Sequence, residues 1–283
     1  LPATPGPPPP SARRALGFLP LRLPDPEKEP SKYHFEVYCV RYSVVWMAIF
    51  GCIVAFQIYE SFLGPYDYLL CCGILSLPNL LSPLFLASHT PHPTASYASK
   101  ATVYLAVYSF IGNYFYTHYF YAVLKAEYTF PGVRLNDVPI GMYFATMFYF
   151  TSYHSLSNSL LRFIDTSYAP STARTALAAA TVGGLAYGTA FMESLSISSF
   201  PYYKFEDRDM VYVVGSAFYG IYFLFSFPMF YYFDRDVDMP KGGRVVGLWG
   251  AVVEAAGMGM LVLIALDLVR VYLGVTFVMK GRD

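Results

Sequence analysis

Charge is scarce in this sequence. Only 13% of its residues are Asp, Glu, Lys or Arg, against roughly 25% in an ordinary soluble domain. A chain so short of charge cannot cover itself against water. Its 19 basic residues are matched by 19 acidic ones, so it offers no electrostatic footprint for nucleic acid. Cysteine is scarce as well: Cys39, Cys52, Cys71 and Cys72 are too few for a disulfide framework and stand at no metal-ligand spacing, so they read as buried thiols.

What fills the space is apolar and aromatic: 55% of residues are hydrophobic and 19% are Phe, Trp or Tyr. Apolar runs of about seventeen residues or more recur at Tyr42–Ile58, Tyr68–Ala87, Ala101–Leu124, Val138–Leu161, Ala176–Ile197, Met210–Phe233 and Val245–Tyr272, each long enough to span a bilayer. The fold class is therefore all-α, a polytopic transmembrane helix bundle of about seven spans occupying 37–283. Pro78 and Pro83 should kink the second span. Ten prolines among the first thirty-one residues disfavour both helix and strand, and make 1–36 a Pro-rich mobile tail that reads as neither a secretory signal nor a transit helix. Lys and Arg divide twelve to the tail side and seven to the other, which puts the N-terminus in the cytoplasm. There is no inverted repeat of the kind transporters show. The expected partner is membrane lipid, and protein partners are not legible.

Ionisable and amide groups inside hydrocarbon call for a functional explanation. Glu60, His118, Glu193 and Asp267 lie toward the C-terminal ends of the first, third, fifth and seventh spans, which run in one direction, so these four should share one layer. His154 should lie ~15–18 Å from His118 along the membrane normal. Thr151, His154, Ser155 and Asn158 form one helical stripe, and Ser109, Gly112, Asn113, Tyr116 and Thr117 another. His118 shares a face with Tyr114. Gly183, Ala186, Thr189, Ala190, Glu193 and Ser196 align as a small-residue face ending in a carboxyl, which suits either a neighbouring helix or a flat ring system. Each polar group also has a plain structural reading as an interhelical hydrogen bond, and Asp267 with Arg270 reads as an ion pair near a helix end.

Several of these residues fall in a longer ordered series. It includes Ile-Tyr-Glu ending at Glu60, Gly-Asn-Tyr-Phe-Tyr-Thr-His-Tyr-Phe from Gly112 to Phe120, and Tyr-Thr-Phe-Pro from Tyr128. Beyond these come Tyr153-His154 with Ser157 and Asn158, Glu193, Phe-Pro-Tyr-Tyr ending at Tyr203, Phe218-Tyr219, Ser-Phe-Pro-Met-Phe from Ser226, and Leu-Asp-Leu around Asp267 with Arg270. In this series, from about Tyr59 to Gly274, the sequence resembles the cycloeucalenol cycloisomerases, the cyclopropyl sterol isomerases of plant-type sterol synthesis. It departs from the plant pattern at Ile140, where that pattern has histidine, and at Tyr116, where it has tryptophan. The resemblance implies a multi-pass protein of the endoplasmic reticulum that opens the cyclopropane ring of a sterol substrate, cycloeucalenol, to give obtusifoliol, with no cofactor.

The chemistry asks for a positioned acid, a stabilised tertiary cation and a base. A dry site favours the neutral form of a carboxyl, so Glu193 is the first choice as acid. His118 would be the base, a relay partner or, paired with Glu60 or Asp267, the charged acid itself. Tyr114, Tyr119, Tyr202 and Tyr203 would face the cation, Asn113 and Thr117 would line the same site, and His154 with Asn158 would hydrogen-bond the sterol hydroxyl. Two other readings stay open: a non-catalytic lipid-binding or structural subunit, and a sterol double-bond isomerase acting on a different substrate.

Overall fold

A computed structural model describes residues 21–61, 64–86, 96–198, 203–206, 208–237 and 246–275. Helix α1 (Pro30–Ala55) is followed by a short 3₁₀ turn (Ile58–Ser61) and α2 (Pro65–Leu86). Next, α3 (Tyr97–Ile111), a π-helical turn (Gly112–Tyr116) and α4 (Thr117–Leu124) form one continuous rod. After strands β1 (Ala126–Tyr128), β2 (Arg134–Leu135) and β3 (Val138–Pro139) come the long helices α5 (Ile140–Ser167) and α6 (Thr172–Ser198). Strand β4 (Tyr203–Phe205), α7 (Arg208–Met210), a second π turn (Val211–Gly215), α8 (Ser216–Val237) and α9 (Leu248–Tyr272) complete the described chain.

The fold is all-α and membrane-like. Five helical segments are long and apolar enough to cross a membrane: Pro30–Ala55, Pro65–Leu86, Thr172–Ser196, Val211–Phe233 and Leu248–Tyr272. Their outward faces carry exposed apolar side chains such as Val44, Leu70, Leu84, Met260 and Leu268, which suit lipid. The other two stretches expected to span, Ala101–Leu124 and Val138–Leu161, are also helical apart from β3 at the start of the second. They carry the polar stripes and turn them inward: Thr151, His154, Ser155 and Asn158 are all buried.

Helix α5 is the central element, packed against α1, α2, α3, α6 and α8, while α3 packs on α9 and α6 on α8. The α2–α5 contact needs Gly141, because a Cβ there would come within 3.2 Å of the Tyr68 carbonyl oxygen. Helix α2 runs through both of its prolines. Pro83 leaves the Asn79 carbonyl without its usual amide donor, and the Ser82 hydroxyl donates to that oxygen at 2.8 Å, the local repair that lets a membrane helix keep a proline.

The helical domain begins earlier than residue 37. Helix α1 starts at Pro30, inside the segment expected to be tail, and Arg162 pins what precedes it. Its guanidinium donates to the Arg22 carbonyl at 2.9 Å and, as a fork, to both carboxylate oxygens of buried Glu36 at 2.8 and 2.6 Å. Residues 1–20 lie outside the described residues.

Two small strand pairs close the end of the bundle where α4 and α6 finish. Strands β1 and β4 pair antiparallel with Glu127 opposite Lys204 and Tyr128 opposite Tyr203. Strands β2 and β3 form a hairpin whose two loop residues, Asn136 and Asp137, both have positive φ (52° and 58°), the backbone of a type I′ turn, which Asn and Asp tolerate better than most residues.

Removing one member of a buried forked ion pair leaves an uncompensated charge, whereas replacing both with apolar groups does not. Glu36→Ala should therefore destabilise the fold by about 3–5 kcal/mol, seen as a lowered thermal midpoint of the purified protein in detergent. The double replacement Glu36→Leu with Arg162→Met should recover most of the loss.

Candidate active site

Glu193 lies near the C-terminal end of α6, one turn beyond the small-residue face. That face is a helix contact: Ala186 and Ala190 are buried, and a Cβ on Gly220 of α8 would meet the Ala186 carbonyl oxygen at 3.4 Å. The close approach sets the depth of α6 against α8, and with it the depth of the carboxyl. Two tyrosines from neighbouring helices then converge on it. Tyr219 of α8 donates its hydroxyl to Glu193 Oε2 at 3.0 Å, and Tyr153 of α5 donates to the same oxygen at 3.4 Å. Among the described residues nothing donates to Oε1.

Glu193 stands between two cavities. The larger, of about 580 Å³, is walled by α1 (Trp46 to Ala55), α2 (Tyr68, Cys71, Cys72), α5 (Gly141, Ala145, Tyr149, Tyr153) and α6 (Met192, Glu193, Ser196), with Phe130 and Tyr203 beside them. Its lining is overwhelmingly apolar and aromatic, and its size falls within the roughly 300–1,000 Å³ of small-molecule sites. The smaller, of about 60 Å³, lies between the π turn, α5, α6, α8 and the β1–β4 pair. Asn113, Thr117, Thr146, Tyr128, Tyr203, Tyr219 and Tyr222 line it together with Glu193. Among the described residues Glu193 is the one carboxyl bordering either cavity, and no histidine borders them.

The π turn shapes the small cavity. Asn113 and Thr117, at i and i+4 across that turn, share one wall, and the Asn113 amide donates both to the Ser109 carbonyl and to Thr146 Oγ1, each at 2.8 Å. The strand pair supplies the remaining wall. Tyr128 and Tyr203 meet edge to face at 4.9 Å, and burial pushes both phenols above their usual range, so both stay protonated at neutral pH.

Four of the residues singled out in the sequence thus come together: Glu193, Asn113, Thr117 and Tyr203. Others do not. His118, partly buried, packs edge to face on Tyr121 and faces the β2–β3 hairpin at Asn136 and Asp137. Tyr114 packs on Phe110 and Phe115, away from both cavities. Asp267 accepts from Arg270 Nε at 2.8 Å and from Tyr119 at 3.2 Å, so this pair and its tyrosine tie α9 to α4. Glu60 is exposed in the 3₁₀ turn, although its neighbour Tyr59 lines the large cavity. Tyr202 lies outside the described residues.

His154 and Asn158 border neither cavity. His154 is fully enclosed, with Nδ1 at 2.8 Å from the Phe150 carbonyl and Nε2 at 2.9 Å from the Ser226 hydroxyl, inside a box of Tyr108, Phe150, Phe227 and Phe230. The aromatic face of α8 occupies the side of α5 where a second ligand layer would have stood. Sequence reasoning passed over the adjacent face of α5, where Met142, Thr146, Tyr149 and Tyr153 recur at helical spacing and all border the cavities.

Two hydroxyls on one carboxyl oxygen should mark its vibrational spectrum. The carboxyl band lost in Glu193→Gln should move to higher frequency in Tyr219→Phe, and by less in Tyr153→Phe, whose bond is longer. Infrared difference spectra of the variants against the parent would read this.

Comparison with known proteins fits this arrangement to a lineage. No family model matches the chain and no solved structure matches it significantly. A curated protein does: the cycloeucalenol cycloisomerase of Arabidopsis thaliana is 38% identical over 251 residues, covering 87% of this chain and 88% of that protein. Identity of that extent spans every element around Glu193, and the chain belongs to the cycloeucalenol cycloisomerase family.

Proposed function

We propose that this isomerase opens the cyclopropane ring of a sterol, converting cycloeucalenol to obtusifoliol, with Glu193 as both the acid and the returning base. The observation that carries the reading is the half-pinned carboxyl on the wall of an apolar cavity of about 580 Å³. Oε2 takes two tyrosine hydroxyls, which leaves Oε1 to hold a proton and present it to the bound sterol.

The step balances without redox change. The Oε1 proton goes to the ring methylene, the bond from that methylene to its quaternary neighbour breaks, and a methyl group and a tertiary cation result. The carboxylate, stabilised by Tyr153 and Tyr219, then takes a proton from the adjacent carbon, and the released electron pair forms the nuclear double bond. Tyr149, Tyr153, Phe130 and Tyr203 surround the cation with ring faces and edges, favouring it through their quadrupoles while excluding the water that would trap it. With the acid regenerated in place, His118 is not required. Substrate reaches the cavity from the bilayer, and no step calls for a metal or a cofactor.

The same reading takes the two polar-striped rods, α3–α4 and α5, as spans alongside the five apolar helices, giving seven crossings in the endoplasmic reticulum. Their place among the apolar helices supports this, since α5 packs on helices to nearly every side.

Membranes carrying the full chain, incubated with cycloeucalenol and analysed by gas chromatography with mass spectrometry, should yield obtusifoliol. Glu193→Gln should lower the rate by about 10²–10⁴-fold, the range of positioned proton transfer. A folded parent that yields no ring-opened sterol would count against the substrate and favour a non-catalytic lipid-binding subunit.

A further inference from the structure

The small cavity behind Glu193 has no part in holding a sterol. At about 60 Å³ it is far below the size of such a ligand, yet it exceeds the roughly 10–15 Å³ that one water needs. A water also needs two to four polar partners, and the walls provide them: hydroxyls of Thr117, Tyr219 and Tyr222, and the carbonyl oxygen of Asn113, which no donor meets among the described residues. Among the described residues, the β1–β4 pair walls this space where α4 and α6 finish. In its register the pair Tyr128–Tyr203 lines the cavity, while the adjoining pair Glu127–Lys204 is exposed.

We propose that this chamber is a water-filled proton port, through which the Glu193 carboxyl exchanges its proton with bulk water between turnovers while the sterol stays on the dry side. This rests on the isomerase reading and adds a division of labour to it. A cation in the large cavity must not meet water, and an acid sealed on every side would keep the proton it took from one substrate and hand it to the next. A carboxyl bordering a dry cavity on one side and a wet chamber on the other satisfies both demands.

The chamber is tested by filling it. Thr146→Leu and Ser194→Leu place added methyl groups in it from α5 and α6 respectively, without touching the large cavity. Parent and variant membranes are given unlabelled cycloeucalenol in heavy water, and the product is analysed by mass spectrometry for deuterium in the new methyl group. The parent should incorporate one deuterium per product molecule. The variants should incorporate it several-fold less often per turnover, because the proton removed from one substrate is passed to the next.

Full incorporation by variants that still turn over, or none by the parent, would overturn the port. A parent that makes no ring-opened product at all would overturn the isomerase reading and the port together, a result distinct from either. Should filling the chamber abolish turnover, a substrate-free readout remains. The shift of the Glu193 carboxyl band on transfer to heavy water should slow at least tenfold in the variants, and an unchanged rate, or no such band in the parent, would sink the proposal.

Discussion

Every polar atom carried into hydrocarbon must find its partner inside the protein, because no water waits there to supply one. That constraint organises the whole bundle. Helices α1, α2, α6 and α9 give long apolar faces to lipid, and α1 and α2 turn polar groups such as Glu36 and Asn79 inward. Helix α5 meets it by position. Its histidine, serines, asparagine and arginine are enclosed by helices that bring a matching group to several of them: Ser226 to His154, Glu36 to Arg162, and Trp46 and Ser43 to Ser152. A helix so equipped could not sit at the rim, and with α5 in the middle the others have few remaining places to go.

Pairing inside the bundle is not complete: the side-chain amide of Asn158 and the hydroxyls of Ser109, Ser157 and Ser216 are buried without a hydrogen-bond partner among the described residues, and at the site Glu193 is half satisfied. Glu193 receives two hydroxyl donors on one oxygen and nothing on the other among the described residues. Two other ionisable groups are engaged more fully. His154 is held from both ring nitrogens, and Asp267 is held by Arg270 and Tyr119. The carboxyl left half free also borders the apolar cavity of about 580 Å³, and the two features together single it out better than burial alone.

The sequence made much of this legible, and its failures have physical causes. Apolar runs locate helices because length and hydropathy are set by the bilayer, and Glu193 stands out because a carboxyl near hydrocarbon needs a reason. Asn113 and Thr117 also follow from one-dimensional periodicity. His118 lies on the side of Tyr114, as its spacing indicates, and that side faces the β2–β3 hairpin instead of the cavities. The shared layer of Glu60, His118, Glu193 and Asp267 assumed that depth decides contact, yet side chains at equal depth can face opposite sides of the bundle. Tyr153 and Tyr219 were hidden for another reason: among 27 tyrosines, two that bond a carboxyl look no different from those that face lipid.

The doubly held oxygen of Glu193 has an entropic consequence. A free glutamate side chain gives up rotamer freedom worth up to about 1.5–2 kcal/mol when it is fixed, and in a flexible site that loss falls on the moment of substrate capture. Here Tyr153 and Tyr219 fix the carboxyl when the helices pack, so the ordering is settled during folding. A rigid polycyclic ligand has little freedom of its own to lose, and when it enters a site whose acid is already aimed, both partners arrive pre-organised. Nearly all of the affinity gained from the apolar walls is then available for holding the ring against the proton.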